Sequence, residues 1–385
     1  MLRGCCRVVI VLPAGATLHS VVIQAGSEPS GGSATPQRAT GMQVLRLITN
    51  GSVAGILVLA ILVAVAAALP ALAATSIPQA PCPAGMVMIP AGSFRIGASG
   101  QLPEERSADG VRVGSFCLGR HEVTNREFAA FVEATGYRSV AERPLPAEQF
   151  PGLSVAERRP GSVVFRAPDE AGAIAELSWW HWTPGADWRH PEGPGSSISG
   201  RLEHPVVQVA YEDAAAYAAW AGAALPSEAQ WEFAARGGLR DRVFSWGNTW
   251  QPQRANTWQG EFPIRDTAED GFSGTAPVGS YAPNGYGLFD MTGNVWEWTD
   301  DWYAPGHEGM ADRRDPVAAD ASASFDPRDP GVAKHVIKGG SFLCSPDYCS
   351  RYRPAAREAQ SPDTGTSHIG FRLMTPLAST TSTHG

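Results

Sequence analysis

The sequence predicts an α+β domain with an unusually large irregular fraction. Three observations carry that reading. Glycine (42) and proline (31) are abundant across 385 residues, which predicts many turns. Three short segments carry helix start and stop signals. Between them run brief apolar stretches of strand character, embedded in loops. With 12 tryptophans the chain also has the material for a well-packed core.

In chain order, Met86 to Gly97 reads as strand, turn, strand, and Val111 to Leu118 as a further strand. Thr124-Asn-Arg-Glu127 is a capping box. Phe128, Phe131 and Val132 then fall on one helical face, and Gly136 is the stop. Residues 211–221 form an alanine-rich second helix ending at Gly222. Ser227-Glu-Ala-Gln230 is another capping box and opens a third helix that closes at Gly237-Gly238. Residues 304–333 are polar and rich in Pro and Asp, and read as a surface loop within the domain. His335–Lys338 and Ile369–Leu373 read as short strands. Folds this irregular need staples, and metal ions or disulfides are the usual ones.

The leading residues are of another kind. Residues 1–41 read as an over-called start or a disordered leader, with Met42 a sensible alternative start. Residues 53–74 are apolar and uncharged, and Ala71-Leu72-Ala73 has the form of an export cleavage site. The length also suits a membrane anchor, so 42–74 is read as signal peptide or anchor. Residues 75–84 form a linker, 85–376 the domain and 377–385 a disordered tail. Either reading of the leader places the domain outside the cytoplasm, exported or membrane-anchored, in an oxidising compartment.

The net charge of −8 and the absence of a basic run argue against a nucleic-acid partner. No Gly-rich phosphate loop, no Ser/His/Asp order and no HExxH motif is present. Of six cysteines, Cys5 and Cys6 lie in the leader, and Cys82 and Cys117 stand far apart and read as unpaired. Cys344 and Cys349 are different. In a strand, residues five apart are separated by about 16 Å and face opposite ways. In a helix they lie roughly 140° apart. Ser345-Pro346-Asp347-Tyr348 is a turn sequence that folds the chain back and brings the two thiols together. The outcome is a structural disulfide or a two-thiolate metal site.

At this point the chain resembles the formylglycine-generating enzymes, the sulfatase-modifying oxidases. The resemblance spans about residues 85–375. It rests on Met88-Ile-Pro-Ala-Gly, Trp188-Arg-His-Pro-Glu-Gly-Pro194, His204-Pro-Val, Leu225-Pro-Ser-Glu-Ala-Gln-Trp-Glu-Phe233 and Trp246-Gly-Asn. It continues through Ala255-Asn-Thr-Trp-Gln-Gly-Glu-Phe-Pro263, Glu269-Asp-Gly-Phe272, Pro283-Asn-Gly-Tyr-Gly-Leu288, Gly293-Asn-Val-Trp-Glu-Trp298, Lys338-Gly-Gly-Ser-Phe-Leu-Cys344 and Gly370-Phe-Arg372.

The resemblance implies one domain related to the C-type lectin fold. It implies an oxidase that uses O₂ to turn the cysteine of a Cys-x-Pro-x-Arg segment, in an unfolded sulfatase polypeptide, into Cα-formylglycine. It also implies copper(I) held by Cys344 and Cys349, a pairing that suits a soft ion, with Ser341 in the same pocket. A structural calcium site is implied at Asn256, Thr257, Asp270 and Phe272, and a second at Asp290, Gly293, Val295 and Glu297. Glu122 is a candidate for a further, weaker site. Positions where secreted members carry extra disulfides here hold Pro354 and Leu373, so those staples are expected to be missing. Arg351, Arg353 and Arg357 are expected either to stabilise thiolates or to pair with carboxylates. Trp179, Trp180, Trp182 and Trp188 read as core and groove lining. His368 replaces a family asparagine near the peptide groove. A monomer is expected, since the groove must stay open. The rival reading is a lectin-like binding module of the same superfamily that has lost the chemistry.

Overall fold

The computed structural model describes residues 82–98, 102–168 and 177–377, which belong to one unit. The leader, the proposed signal or anchor, and the tail lie outside the described residues. Among the described residues no helix is long and apolar enough to cross a membrane.

The chain opens with strands β1 (Met86–Ile89), β2 (Gly92–Ile96), β3 (Ala108–Val113) and β4 (Phe116–Gly119), followed by helix α1 (Asn125–Thr135). Then come β5 (Gly161–Phe165), β6 (Trp180–Pro184), α2 (Tyr211–Trp220) and α3 (Glu228–Ala235). The remainder is β7 (Gly260–Glu261), β8 (Arg265–Asp266), β9 (Trp296–Trp302), β10 (His335–Lys338), β11 (Arg357–Gln360), β12 (Ile369–Gly370) and β13 (Met374–Pro376). Long irregular segments separate these short elements, as the Gly and Pro content predicts.

The helix signals act as expected. Glu127 N–H donates to Thr124 Oγ1, the Glu127 carboxylate accepts from Thr124 N–H, and Gly136 closes α1 in the left-handed region at φ 68°. Ser227 and Gln230 cap α3 in the same reciprocal way. The stretch expected as one strand from Val111 to Leu118 is two, β3 and β4, which join different sheets. The expected strand Ile369–Leu373 shortens to β12: beyond it the Phe371 carbonyl accepts from Val123 N–H and the Arg372 guanidinium donates to Gly119 O.

Two sheets position everything else. β1, β4 and β13 form one, with β4 central; β11, β10, β9 and β12 form the other, with β12 parallel to β9. Between the second sheet and α1 and α2 lies the main core: Phe128, Phe131, Tyr217, Trp296, Trp298, Ile337 and Phe371. A second core joins Ile89, Ile96, Val111, Phe116 and Leu118 to Trp231 and Phe233 of α3. A third cluster is mostly aromatic and includes Trp179, Trp180, Trp258 and Leu343. Fully burying one such side chain is worth about 1.5–3 kcal/mol, so the sheets are held mainly by these faces and not by ladder length.

One expectation is overturned. Cys82 and Cys117 are not unpaired: they form a disulfide, with Cα atoms 5.6 Å apart. Their separation of 35 residues hides the pairing in the sequence. The antiparallel β1–β4 ladder and a turn at its entrance, where Met86 N–H donates to Pro83 O, create it. The chain therefore keeps a covalent staple after all, at the start of the domain.

Candidate functional site: a buried sulfur pair beside an aromatic wall

The site begins where β10 stops. Gly339 and Gly340 follow Lys338 with φ of 96° and 74°. At Gly340 a Cβ would come within 2.7 Å of Tyr352 Cα, so only glycine lets the chain pass there. Phe342 N–H then donates to Asn294 O, and Trp258 N–H to Cys344 O, fixing the segment against two other loops. The turn sequence works as read: Cys349 N–H donates to Ser345 O at 2.9 Å, and Tyr348 N–H to Ser345 Oγ at 3.2 Å. The result is a Cys344 Sγ to Cys349 Sγ distance of 3.0 Å.

Both sulfurs are buried, Cys344 at 1% exposure and Cys349 at 0%. Cys344 is a free thiol. Burial pushes it up to about 12, against a smaller pull downward from Ser341 and from the Arg351 charge. Ser341 N–H points at Cys344 Sγ from 3.4 Å, while Ser341 Oγ accepts from Leu343 N–H. A cation in place of the proton is the route by which a thiol so raised is deprotonated near neutral pH.

An aromatic wall stands beside the pair. Tyr348 stacks on Phe262 with centroids 4.2 Å apart, and Trp179 meets both rings edge-on at 5.3 and 5.4 Å. Trp258 meets Phe262 at 5.2 Å. Among the described residues, the indole N–H groups of Trp179, Trp180, Trp182, Trp188 and Trp258 have no hydrogen-bond partner. A buried donor left unpaired costs about 1–3 kcal/mol. Trp188 is core instead, packed on Phe128 at 5.2 Å. His368 is buried too: it lies against Trp180 at 4.7 Å, and its Nδ1 is 2.7 Å from Thr366 Oγ1. Burial lowers its pKa to about 3, so it stays neutral.

The oxygen ligands expected for calcium fall into two neighbourhoods. In the first, Asp270 accepts from Thr257 N–H and Phe272 N–H, and burial raises its carboxyl. Asn256 is 1% exposed, and its Oδ1 has no partner. Gly293 packs directly on this loop; a Cβ there would lie 2.1 Å from Asn256 O. In the second, burial pushes Asp290 up to about 6, and its carboxylate accepts from Gly279 N–H. Glu297 accepts three hydrogen bonds, two from Arg372 and one from Trp231 Nε1. That leaves about one lone pair of roughly four for an ion. Glu122 Oε1 accepts from Asn294 while its Oε2 has no partner, and burial raises its carboxyl well above the usual range. Val295 is a fully buried part of the same loop.

The three arginines after the pair each hold a carboxylate. Arg351 binds Glu104 at 2.6 Å, Arg353 binds Glu105 through two bonds of 2.6 and 2.8 Å, and Arg357 binds Glu228 at 2.6 Å. Sequence reasoning missed Glu104 and Glu105. Nothing in their local spacing ties them to residues about 250 positions later.

Glu228, Glu232 and His307 also bring three ligand atoms within 4.8 Å of one another, the single such group of three or more among the described residues. Its charge is already met. Lys338 Nζ lies 3.4 Å from Glu228 and 3.0 Å from Glu232, Arg236 is 2.7 Å from Glu232, and Arg357 holds Glu228. Two carboxylates face three fixed cations, so a metal ion entering there would meet net positive charge. Burial opposes ionisation of Glu228, but Arg357, Lys338 and His307 outweigh it and hold its carboxyl well below the usual range. The group is a structural ion network.

A paired-sulfur loop, sheets this short and three helices, two of them capped by side chains, make up this α+β domain, and comparison with known proteins gives its class a name. The family model described as Sulfatase-modifying factor enzyme 1-like domain matches residues 73–377. The chain belongs to this family. It is 49% identical over 296 residues to the formylglycine-generating enzyme of Mycobacterium tuberculosis, covering 75% of this chain and 97% of that one. It is 43% identical over 306 residues to the formylglycine-generating enzyme of Bos taurus, covering 78% and 76%. It is also 37% identical over 294 residues to the inactive Cα-formylglycine-generating enzyme 2 of Mus musculus, covering 74% and 84%.

Proposed function

We propose that this chain is an oxidase that converts the cysteine of a Cys-x-Pro-x-Arg segment in an unfolded sulfatase polypeptide to Cα-formylglycine, using O₂. The observation that carries the reading is the buried Cys344–Cys349 pair at 3.0 Å, next to an aromatic wall with unpaired indole donors. The donor set is soft, and the one cluster of harder ligands among the described residues lies elsewhere and is already neutralised. Copper(I) fits it: two thiolates satisfy a soft ion of low coordination number, and such an ion supplies a third position for a substrate thiolate and one-electron chemistry with O₂.

The chain's own residues do the rest. Ser341 N–H steadies the Cys344 sulfur. The aromatic wall excludes water from the pair. Trp179, Trp180 and Trp258 give that wall its buried body. The net reaction balances as follows. The substrate CH₂–SH loses two hydrogens to O₂, giving a thioaldehyde and hydrogen peroxide. Water then replaces sulfur, giving the aldehyde and hydrogen sulfide.

Calcium is proposed as the staple of the loop around Asn256, Thr257, Asp270 and Phe272, where Asn256 Oδ1 is buried and unpaired. Asp290, Gly293, Val295 and Glu297 hold a second ion less readily, because Arg372 already occupies Glu297. The Cys82–Cys117 disulfide supports a location outside the cytoplasm, by export or by an N-terminal anchor. The enzyme is proposed to act as a monomer.

The test is mass spectrometry of a Cys-x-Pro-x-Arg peptide after incubation with the protein, with and without added copper. Conversion to aldehyde only with copper is the expected result. A protein that binds the peptide yet never converts it is the binding module, and the enzymatic reading ends there.

A further inference from the structure

The sulfur pair is held firmly on one side and loosely on the other. Upstream of Cys344, backbone bonds from Phe342 and Trp258 register the chain. Downstream of Cys349, residues 350–356 precede β11 in no sheet. Among the described residues, the backbone bond made there is Ala356 N–H to Arg353 O, and Pro354 has no N–H to give. Side chains set the register of this stretch.

Two of them reach the same place. Arg351 and Arg353 both run to the short 3-10 turn Pro103–Glu105. Arg353 grips Glu105 with two parallel bonds, and the pair is buried: Glu105 is 0% exposed and Arg353 5%. Arg351 binds Glu104 and also lies 3.2 Å from Glu358. The turn itself is immobilised. Ala98 N–H donates to Glu105 O, Glu105 N–H to Leu102 O, Gly306 N–H to Glu104 O and His307 N–H to Arg106 O. A buried, bidentate pair has no water to exchange with and one geometry to adopt, unlike an exposed pair.

We infer that Glu105, with Glu104 beside it, is a positioning residue for the sulfur pair: the Pro103–Glu105 turn clamps Arg353 and Arg351 and thereby fixes where Cys349 meets Cys344. The inference rests on the proposed oxidase reading. Glu105 touches neither sulfur. It acts through Arg353, four residues beyond Cys349.

The experiment uses the full chain and the variants Glu105→Gln and Arg353→Lys. Copper(I) affinity is read by competition with a chromogenic chelator, and kcat and KM are read on a Cys-x-Pro-x-Arg peptide. In Glu105→Gln, copper(I) affinity is expected to fall about 10- to 100-fold, as for supporting groups behind metal ligands. kcat is expected to fall about 100-fold, the cost of an ångström-scale misplacement, with KM within about twofold. Arg353→Lys keeps the charge and loses the fork, so it folds and shows a smaller loss of the same kind. Arg126→Ala, which breaks the exposed Arg126–Glu203 pair, changes neither quantity.

A Glu105→Gln or Arg353→Lys protein with wild-type copper affinity and kcat would overturn the positioning role and leave the oxidase reading intact. Raised KM at unchanged kcat would place Glu105 in peptide binding and overturn it as well. Wild-type protein that takes up no copper(I) would bring down the oxidase reading, and the positioning role with it.

Discussion

Two buried polar regions sit on either side of β10, and they are built on opposite principles. Behind the strand, Lys338, Arg236 and Arg357 face Glu228 and Glu232, so that each carboxylate already has cations against it. Ahead of it, the sulfurs of Cys344 and Cys349 converge, and burial raises the Cys344 thiol toward its neutral form. The first has the ligand geometry of a metal site and no need of a metal. The second is a close pair of soft sulfurs, proposed above to take copper(I). What distinguishes a metal centre here is which charges the fold has already supplied, and the count of ligand atoms says less.

The sharpest way to break the contrast is to take the cation shared by both carboxylates out of the ionic side. Lys338→Met removes a fully buried cation that touches both Glu228 and Glu232. Urea denaturation should show a loss of about 3–5 kcal/mol. Zinc should leave the wild-type Tm unmoved. A zinc-stabilised wild type would show that the Glu228–Glu232–His307 group is a metal site after all.

The disulfide supplies a second contrast, between a sulfur pair that staples and one proposed to react. Cys117→Ser opens a loop of 35 residues, worth about 4 kcal/mol by chain entropy. It should lower the denaturation midpoint and leave copper(I) affinity unchanged. Loss of copper binding in that variant would mean the two pairs are not independent.

Acidity separates two kinds of buried carboxylate. Burial raises Asp213 to about 6 and Asp301 to about 7 in the folded state. For such groups the ionised form is penalised above those values, and the penalty lifts as pH falls toward the unfolded value of about 4. Glu228 and Glu232 have the opposite sign: they stabilise above about 4.3 and lose that contribution below it as they are protonated. Tm should therefore rise from pH 8 to about pH 5–6 and fall below about pH 4. A profile that climbs steadily to pH 8 would mean that Asp213 and Asp301 are not burdened as buried carboxylates.

The smallest expected effect is local. Thr124→Ala removes the cap of α1 and should cost about 1 kcal/mol, with peptide conversion unchanged. A larger loss of activity would tie α1 to the site directly.

Much of this was legible in the sequence wherever the signal is local. Capping boxes at Thr124 and Ser227 name their own helices, because the partners are three residues apart. The turn Ser345–Tyr348 likewise announced that Cys344 and Cys349 would meet. What stayed hidden is non-local. Cys82 finds Cys117 only through the β1–β4 ladder, and Glu105 finds Arg353 across 248 positions. β5 and β6 were missed for a related reason. Gly161–Phe165 shows no alternation, since four of its five residues are buried. Glu297 looked like a calcium ligand by motif, and only packing revealed Arg372 lying against it.

Stoichiometric copper(I) titration of the wild-type chain against Cys344→Ser tests the central claim most directly. The account predicts one tightly bound ion per wild-type chain, none in the variant, and peptide conversion reduced by three orders of magnitude or more, on the order of losing a reacting group. A wild type that binds no copper(I), or a Cys344→Ser protein that binds it equally well, would contradict it.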